Sequence, residues 1–249
     1  MSDARTVLVT GGTGGIGEAV MRRLAAAGFR VYATYRANEG KARELAADLP
    51  NCRMLRCDLT SDASIDAELA QVFQDPGIQI FVHCVTADLK LKPVEALEAE
   101  EVREDIDVNL LSAFRVLKRI LSGMKKNRSG TILFLLSSVI EQTPARMSSY
   151  TAAKYGLLGL LKSLKREVGD GGIRVAGLSP SFVETDLLKP FPPKMLEMER
   201  AKSEGGSFLS PADIADLVLK AVVDEKRFEH GVNVYVRDKK ELKDLLSGE

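Results

Sequence analysis

Short apolar, β-rich runs alternate with helical patterns along almost the whole of this 249-residue chain. The runs cover residues 6–10, 31–35, 53–57, 78–85, 131–137, 173–178 and 232–236. Between them lie stretches with helical spacing of apolar residues, as at Ile16, Ala19, Val20, Leu24 and Ala27. Helices are expected at 16–27, 39–48, 62–73, 148–168 and 211–223, and one long, bent helix at 99–126. Ser210 and Pro211 open the helix at 211–223 as cap and first residue. Strands apolar on both faces and joined by helices imply an α/β fold, a doubly wound seven-stranded parallel sheet with helices on both faces. No linker or internal repeat interrupts the pattern, so residues 1–249 read as a single domain. The one break is 181–207, where Pro190, Pro192 and Pro193 precede a charged helical piece at 194–204. A long excursion after a strand in such a fold is read here as a substrate lid.

The first strand runs into Thr10-Gly11-Gly12-Thr13-Gly14-Gly15-Ile16-Gly17, which opens the first helix. Gly12, Gly14 and Gly17 satisfy the dinucleotide fingerprint in its strand–turn–helix context, the signature of a Rossmann fold. Glycines let the backbone approach a pyrophosphate, and the helix start offers free N–H groups and a positive dipole end. An acid at the end of the second strand would bond the adenosine ribose and repel a 2′-phosphate. Thr34, Tyr35 and Arg36 stand there instead, and a guanidinium suits a phosphate. The cofactor is therefore read as NADP(H).

Composition excludes several other classes. Thirty-five basic and 35 acidic residues give zero formal net charge, so no global field draws nucleic acid or an anionic membrane. The longest wholly apolar run, 132–136, is far below the roughly 20 residues of a membrane span. Residues 1–5 lead straight into a strand without a signal-peptide pattern, and three cysteines are too few for a disulfide framework. A cytoplasmic location is expected. Cys52 and Cys57 fall on opposite faces of one strand and read as buried thiols, not metal ligands; no metal site is expected.

Tyr150 and Lys154, four apart near a helix start, share one face. A phenol needs help to exchange protons at neutral pH, and a nearby ammonium favours its phenolate. The preceding strand ends in Ser137-Ser138, at the sheet edge where such folds bind ligands. From about Thr10 to Val236 the chain resembles the classical short-chain dehydrogenase/reductase family, in its 3-oxoacyl-carrier-protein-reductase-like branch. The motif Thr10-Gly11-x-x-x-Gly15-x-Gly17 matches that family's cofactor turn, and Asp58 its adenine-contacting acid. Asn109 matches its catalytic asparagine, Tyr150 and Lys154 its catalytic pair, and Pro180 and Thr185 its nicotinamide loop. The family's serine lies seven residues after a strand-opening glycine and thirteen before the tyrosine. Counting from Gly130 and from Tyr150 both give Ser137, with Ser138 in reserve.

The resemblance implies catalysis by Asn109, Ser137, Tyr150 and Lys154. It implies cofactor contacts from Gly11, Thr13, Gly14, Gly15, Ile16, Gly17, Tyr35, Arg36, Asp58, Leu59, Val85, Tyr150, Lys154, Pro180, Val183 and Thr185. The implied activity is NADPH-dependent reduction of a ketone to a secondary alcohol. Tyr150 gives the proton, Lys154 lowers its pKa and holds the nicotinamide ribose, Ser137 donates to the carbonyl oxygen, and Asn109 positions a water. The substrate is a small carbonyl or alcohol compound, free or held on a carrier protein. The family also implies a homodimer or homotetramer, in line with helices at 99–126 and 148–168 that are apolar on more than one side.

Three stretches depart from the family. His83-Cys84-Val85-Thr86 replaces Asn-Asn-Ala-Gly, and Thr86 puts a side chain where glycine would allow close approach. His83 reads as a hydrogen-bonded buried residue. Ser181 follows Pro180 where glycine is usual, and Arg237-Asp238-Lys239-Lys240 replaces Asp-Gly-Gly, so the chain end packs in its own way or frays. Lys125, Lys126 and Arg128 repeat half of a carrier-docking pattern, with Gly171 in place of the other half; they read better as a favourable helix C-terminus. Phe182, Leu187, Leu188, Phe191, Met195 and Met198 line an apolar pocket or hold the lid down, and Arg146 meets an anionic substrate group or solvent. The competing reading is a catalytically inactive NADP-binding regulatory or scaffold subunit. A sugar-nucleotide epimerase would need a larger C-terminal domain.

Overall fold

The computed structural model describes residues 5–74, 77–224 and 228–247; the chain start, 1–4, lies outside them. Seven strands form one parallel sheet in the order β3-β2-β1-β4-β5-β6-β7. They are β1 (Thr6–Thr10), β2 (Arg30–Tyr35), β3 (Cys52–Arg56), β4 (Ile80–His83), β5 (Gly130–Leu135), β6 (Ile173–Pro180) and β7 (Asn233–Val236). The order reverses between β1 and β4, which opens a crevice at their carboxyl ends.

The helices in chain order are α1 (Gly15–Ala26), α2 (Glu39–Asp48), α3 (Asp62–Gln74), α4 (Ala99–Ile106), α5 (Ser112–Asn127), α6 (Val139–Gln142), α7 (Ser148–Val168), α8 (Pro193–Lys202), α9 (Pro211–Val223) and α10 (Lys239–Ser247). The alternating pleat divides the apolar side chains between two cores. Val7 and Val9 lie in one with Val20, Leu24, Leu217 and Val218, so α1 and α9 cover that face. Leu8 lies in the other with Val116, Ile120, Leu157 and Leu161, under α5 and α7. Cys52 and Cys57 fall in different cores, as their spacing requires.

Three differences from the sequence reading have local causes. Strand β4 stops at His83, not Val85, because the Thr10 hydroxyl accepts the N–H groups of Cys84 at 3.0 Å and Val85 at 3.4 Å, which takes them out of the sheet. The long helix at 99–126 is two helices joined by a π-turn, Asp107–Leu111. The chain end forms α10: Asp238 Oδ1 accepts the N–H groups of Lys240 and Glu241, both at 2.9 Å, and Leu242 is buried. Arg128 adopts a left-handed conformation and closes α5 just beyond Lys125 and Lys126, which favour the negative end of the helix.

The 181–207 excursion leaves and returns through one stitch. Val183 bridges Leu209, Glu184 N–H donates to Leu209 O at 2.8 Å, and Leu209 N–H to Phe182 O at 3.1 Å. Phe182 stacks on Phe208 with centroids 5.0 Å apart and meets Phe191 edge-on at 5.6 Å. No helix among the described residues is long and apolar enough to cross a membrane, and none of their His, Cys, Asp and Glu side chains form a group that would hold a metal ion.

Candidate functional site

The glycine-rich turn crosses the crevice at the end of β1. Gly11 sits at φ +74°, a conformation a side chain rarely adopts. The turn is held from β2: Gly12 N–H donates to Thr34 O at 2.7 Å and Gly11 N–H to Thr34 Oγ1 at 3.3 Å. A methyl group at Gly17 would collide with the Gly11 carbonyl, so that position accepts only glycine without rearrangement. A methyl group at Gly15 would stand 2.8 Å from Thr185 Cγ2, so the loop after β6 rests on the start of α1. Helix α1 has Gly14 at its N-cap and no side-chain cap, which leaves its first N–H groups for a ligand.

This turn forms one wall of a cleft of about 390 Å³. Gly11, Thr13, Gly14, Gly15, Ile16, Gly17, Tyr35, Arg36, Asp58, Leu59, Val85 and Thr185 all line it. Arg36 is exposed at its edge and forms no ion pair with another described residue. Burial works against the Asp58 carboxylate, but bonds from the Thr60 hydroxyl (2.7 Å) and amide (2.9 Å) outweigh it, helped by Arg36 and Arg115. Its pKa lies below the usual value. Uncapped N–H groups, a crowded glycine cradle and a free guanidinium together fit a phosphorylated dinucleotide.

A second cavity of about 190 Å³ adjoins the first, sharing Ile16, Thr185 and Leu187 as walls. Ser137, Ser138 and Tyr150 line it, as do Phe182, Leu187, Leu188, Phe191 and Met195. Met198 does not; it is exposed. Among the described residues the only charged one on the wall is Glu199, whereas Arg146 is exposed and does not reach the cavity. Pro180 and Val183, expected on the cofactor, line this cavity and not the cleft. Ser138 N–H donates to Pro180 O at 3.0 Å, while the Ser137 hydroxyl faces Tyr150.

Lys154 and Asn109 line neither space; both are buried behind the walls. Lys154 Nζ donates to Leu135 O at 2.9 Å and sits 5.5 Å from the centre of the Tyr150 ring. Burial pulls the ammonium down to about 8. Burial also dominates at Tyr150 and lifts the phenol to about 12, although the hydroxyls of Ser137 and Thr86 act against it. The depressed phenol expected from the Tyr–Lys spacing is therefore not found. Desolvation is the largest effect on the phenol, and the ammonium is engaged by a carbonyl.

The π-turn carries Asn109. Its side chain is fixed at both ends: Nδ2 donates to Asp105 O at 2.9 Å, and Oδ1 accepts from Thr86 Oγ1 at 2.8 Å. Its main-chain oxygen lies 3.3 Å from His83 Nε2, and His83 Nδ1 lies 3.0 Å from Thr10 Oγ1. A carbonyl only accepts, so Nε2 carries the proton and Nδ1 accepts from Thr10. Burial keeps this imidazole neutral, with a pKa pushed down to about 3. Sequence reasoning did not single out Asn38, Cys84, Ala87 or Asp186 for the cleft. They lie beside recognised motif residues, which was the available signal.

The short chain dehydrogenase profile matches residues 5–195. The 3-oxoacyl-acyl-carrier-protein reductase FabG of Escherichia coli K12 is 32% identical over 238 residues, 94% of this chain and 96% of that protein. The same-named protein of Vibrio cholerae is 31% identical over 237 residues, with the same two coverages. The reductase MabA of Mycobacterium bovis is 29% identical over 86% of this chain and 84% of its own. Among solved structures, gox2181 superposes with a TM-score of 0.86 at 25% identity, over 94% of this chain and 95% of its own. A Brucella melitensis 16M protein described as ribose-5-phosphate isomerase superposes at 0.85, also 25% identical, over 94% and 92%. Profile, relatives and sheet order agree that this chain is an oxidoreductase of the short-chain dehydrogenase/reductase family, related to the FabG reductases.

Proposed function

We propose that this protein uses NADPH to reduce a neutral ketone with an apolar body to a secondary alcohol. The supporting observation is the meeting of two spaces. The glycine-rich cleft runs into an apolar cavity, and Tyr150 and Ser137 stand on that cavity's wall. Gly11 to Gly17, Asp58 and Thr185 would hold the dinucleotide, with Arg36 at the 2′-phosphate. When bound, the cofactor supplies the hydride. Ser137 donates a hydrogen bond to the carbonyl oxygen and stabilises its developing charge. Tyr150 transfers its phenolic proton to that oxygen and is left as phenolate, to be reprotonated from solvent. Lys154 places a positive charge under the ring and favours that phenolate. The 181–207 segment acts as the lid, since Phe182 and Phe191 form part of the cavity wall. An uncharged substrate fits a wall whose single charge among the described residues is the Glu199 carboxylate.

Leu111, Phe114 and Tyr155, within the two stretches 99–126 and 148–168, are each at least 40% exposed, which supports a homodimer or homotetramer. Three free thiols are consistent with a reducing, cytoplasmic setting. The test is loss of NADPH absorbance with a panel of carbonyls. The panel holds a cyclic ketone, a quinone, a keto-sugar nucleotide and a 3-oxoacyl thioester, the last both free and carrier-bound. Turnover that falls by about 10²–10⁴ in Tyr150→Phe, with NADPH binding retained, is expected. Tight NADPH binding with no turnover of any carbonyl would refute the proposal and favour a regulatory or scaffold subunit.

A further inference from the structure

Thr86 stands at the mouth of the site, on the loop leaving β4, and lines the cofactor cleft. Its hydroxyl has a fixed partner on one side. It donates to Asn109 Oδ1 at 2.8 Å, with Ala87 O a longer alternative at 3.3 Å. On its other side it faces the Tyr150 hydroxyl, as Ser137 does. Because the Asn109 amide is anchored to Asp105 O and the Asn109 carbonyl to His83, the acceptor presented to Thr86 is held in place. A hydroxyl that donates to Asn109 still has lone pairs to accept from the phenol.

We propose that Thr86 is a positioning residue for Tyr150: its hydroxyl bridges the phenol and the Asn109 amide, and turns to donate to the phenolate once the proton has left. This rests on the ketoreductase reading given above. With Tyr150 protonated, Tyr150 O–H donates to Thr86 and Thr86 O–H donates to Asn109 Oδ1. When Tyr150 passes its proton to the substrate oxygen, Thr86 keeps its own proton and rotates it from Asn109 toward the phenolate oxygen. No group other than Tyr150 changes protonation in this step. Thr86 thereby supplies a second hydroxyl to a phenol that burial otherwise keeps protonated, while Ser137 is engaged with the substrate. The buried Asp105 carboxylate, paired with Lys90 at 3.3 Å, opposes the phenolate and makes that support more valuable.

The experiment compares Thr86→Val, which keeps the shape and removes the hydroxyl, with Thr86→Ser, which keeps the hydroxyl. In alcohol oxidation, Thr86→Val is expected to lower kcat near neutral pH by about 10-fold and to move the limb set by phenol ionisation up by about one pH unit. KM for NADP⁺ is expected to stay within a factor of about two, and Thr86→Ser to restore the wild-type profile. A second readout needs no turnover. With isotope-labelled tyrosine, the ring-oxygen-bearing carbon of Tyr150 (assigned with Tyr150→Phe) should shift at constant pH in Thr86→Val and return in Thr86→Ser. An unmoved resonance, or an unmoved pH profile, would overturn the role of Thr86. So would equal impairment of the Val and Ser variants. Absence of wild-type turnover with a resonance that does shift would refute the ketoreductase reading and leave the bridge itself standing.

Discussion

Removing the buried imidazole at position 83 should make the protein's stability less sensitive to mild acid. His83 is fully buried, held neutral between Thr10 and the Asn109 carbonyl, with its pKa pushed down to about 3. In the unfolded chain the same imidazole takes up a proton near pH 6.5. Between those values the unfolded state binds more protons than the native state, so stability falls as pH falls. From pH 7 to pH 5 this single group should remove about 2 kcal/mol of unfolding free energy. Asn in place of His83 still offers a donor and an acceptor but does not titrate. The assay is urea unfolding of wild type and His83→Asn at both pH values. The variant starts lower by a constant packing cost, but its loss on acidification should be smaller by about 2 kcal/mol, equal to about 1 M in urea midpoint if m is near 2 kcal/mol/M. Equal losses in the two proteins would refute the reasoning, because they would mean that the native imidazole is already free to protonate.

Two further outcomes follow from the cleft. Arg36→Ala should raise KM for NADPH by about 10- to 100-fold while leaving that for NADH within about twofold; equal losses with both cofactors, measured by steady-state kinetics, would show that Arg36 does not read the 2′-phosphate. Gly17→Ala should cost about 1–3 kcal/mol by overpacking and abolish nucleotide binding, seen as a lowered melting temperature that NADPH no longer raises; normal NADPH binding would refute the proposed cradle.

Much of the architecture was readable because its causes are local. Two-sided apolar strands, the glycine spacing and the Tyr150–Lys154 interval each depend on neighbours within one or two turns. Ser137 was separable from Ser138 by counting from Gly130 and from Tyr150, and the two residues do differ: Ser137 faces the phenol, and Ser138 is pinned to Pro180 by its amide. What stayed hidden depends on long-range pairing. The π-turn at Asn109 is invisible in periodicity, since 99–126 keeps a helical pattern throughout; only its His83 and Thr86 partners, from another strand end, show what the turn presents. Strand β4 looked two residues longer at its carboxyl end because the Thr10 side chain that ends it lies 74 positions away from Cys84. The phenol's pKa also misled, since spacing reveals a neighbouring ammonium but not the burial of both groups.

The packing of α1 on α9 reaches beyond the folded molecule. The glycine-rich turn is made of residues 10–17, yet the helix it opens shares its core face with Leu217 and Val218 and is tied by Arg23 Nε to Asp216 at 2.5 Å. During synthesis the chain emerges from its first residue onward. While residues 27–210 are being added, the segment 10–26 is present and its cover is still untranslated. The glycine-rich turn is therefore made well before the helix that locks it in place. A nascent chain halted before residue 211 would carry the complete glycine signature and the Tyr150–Lys154 pair, yet expose the apolar face of α1 to whatever chaperone or aggregating neighbour reached it first.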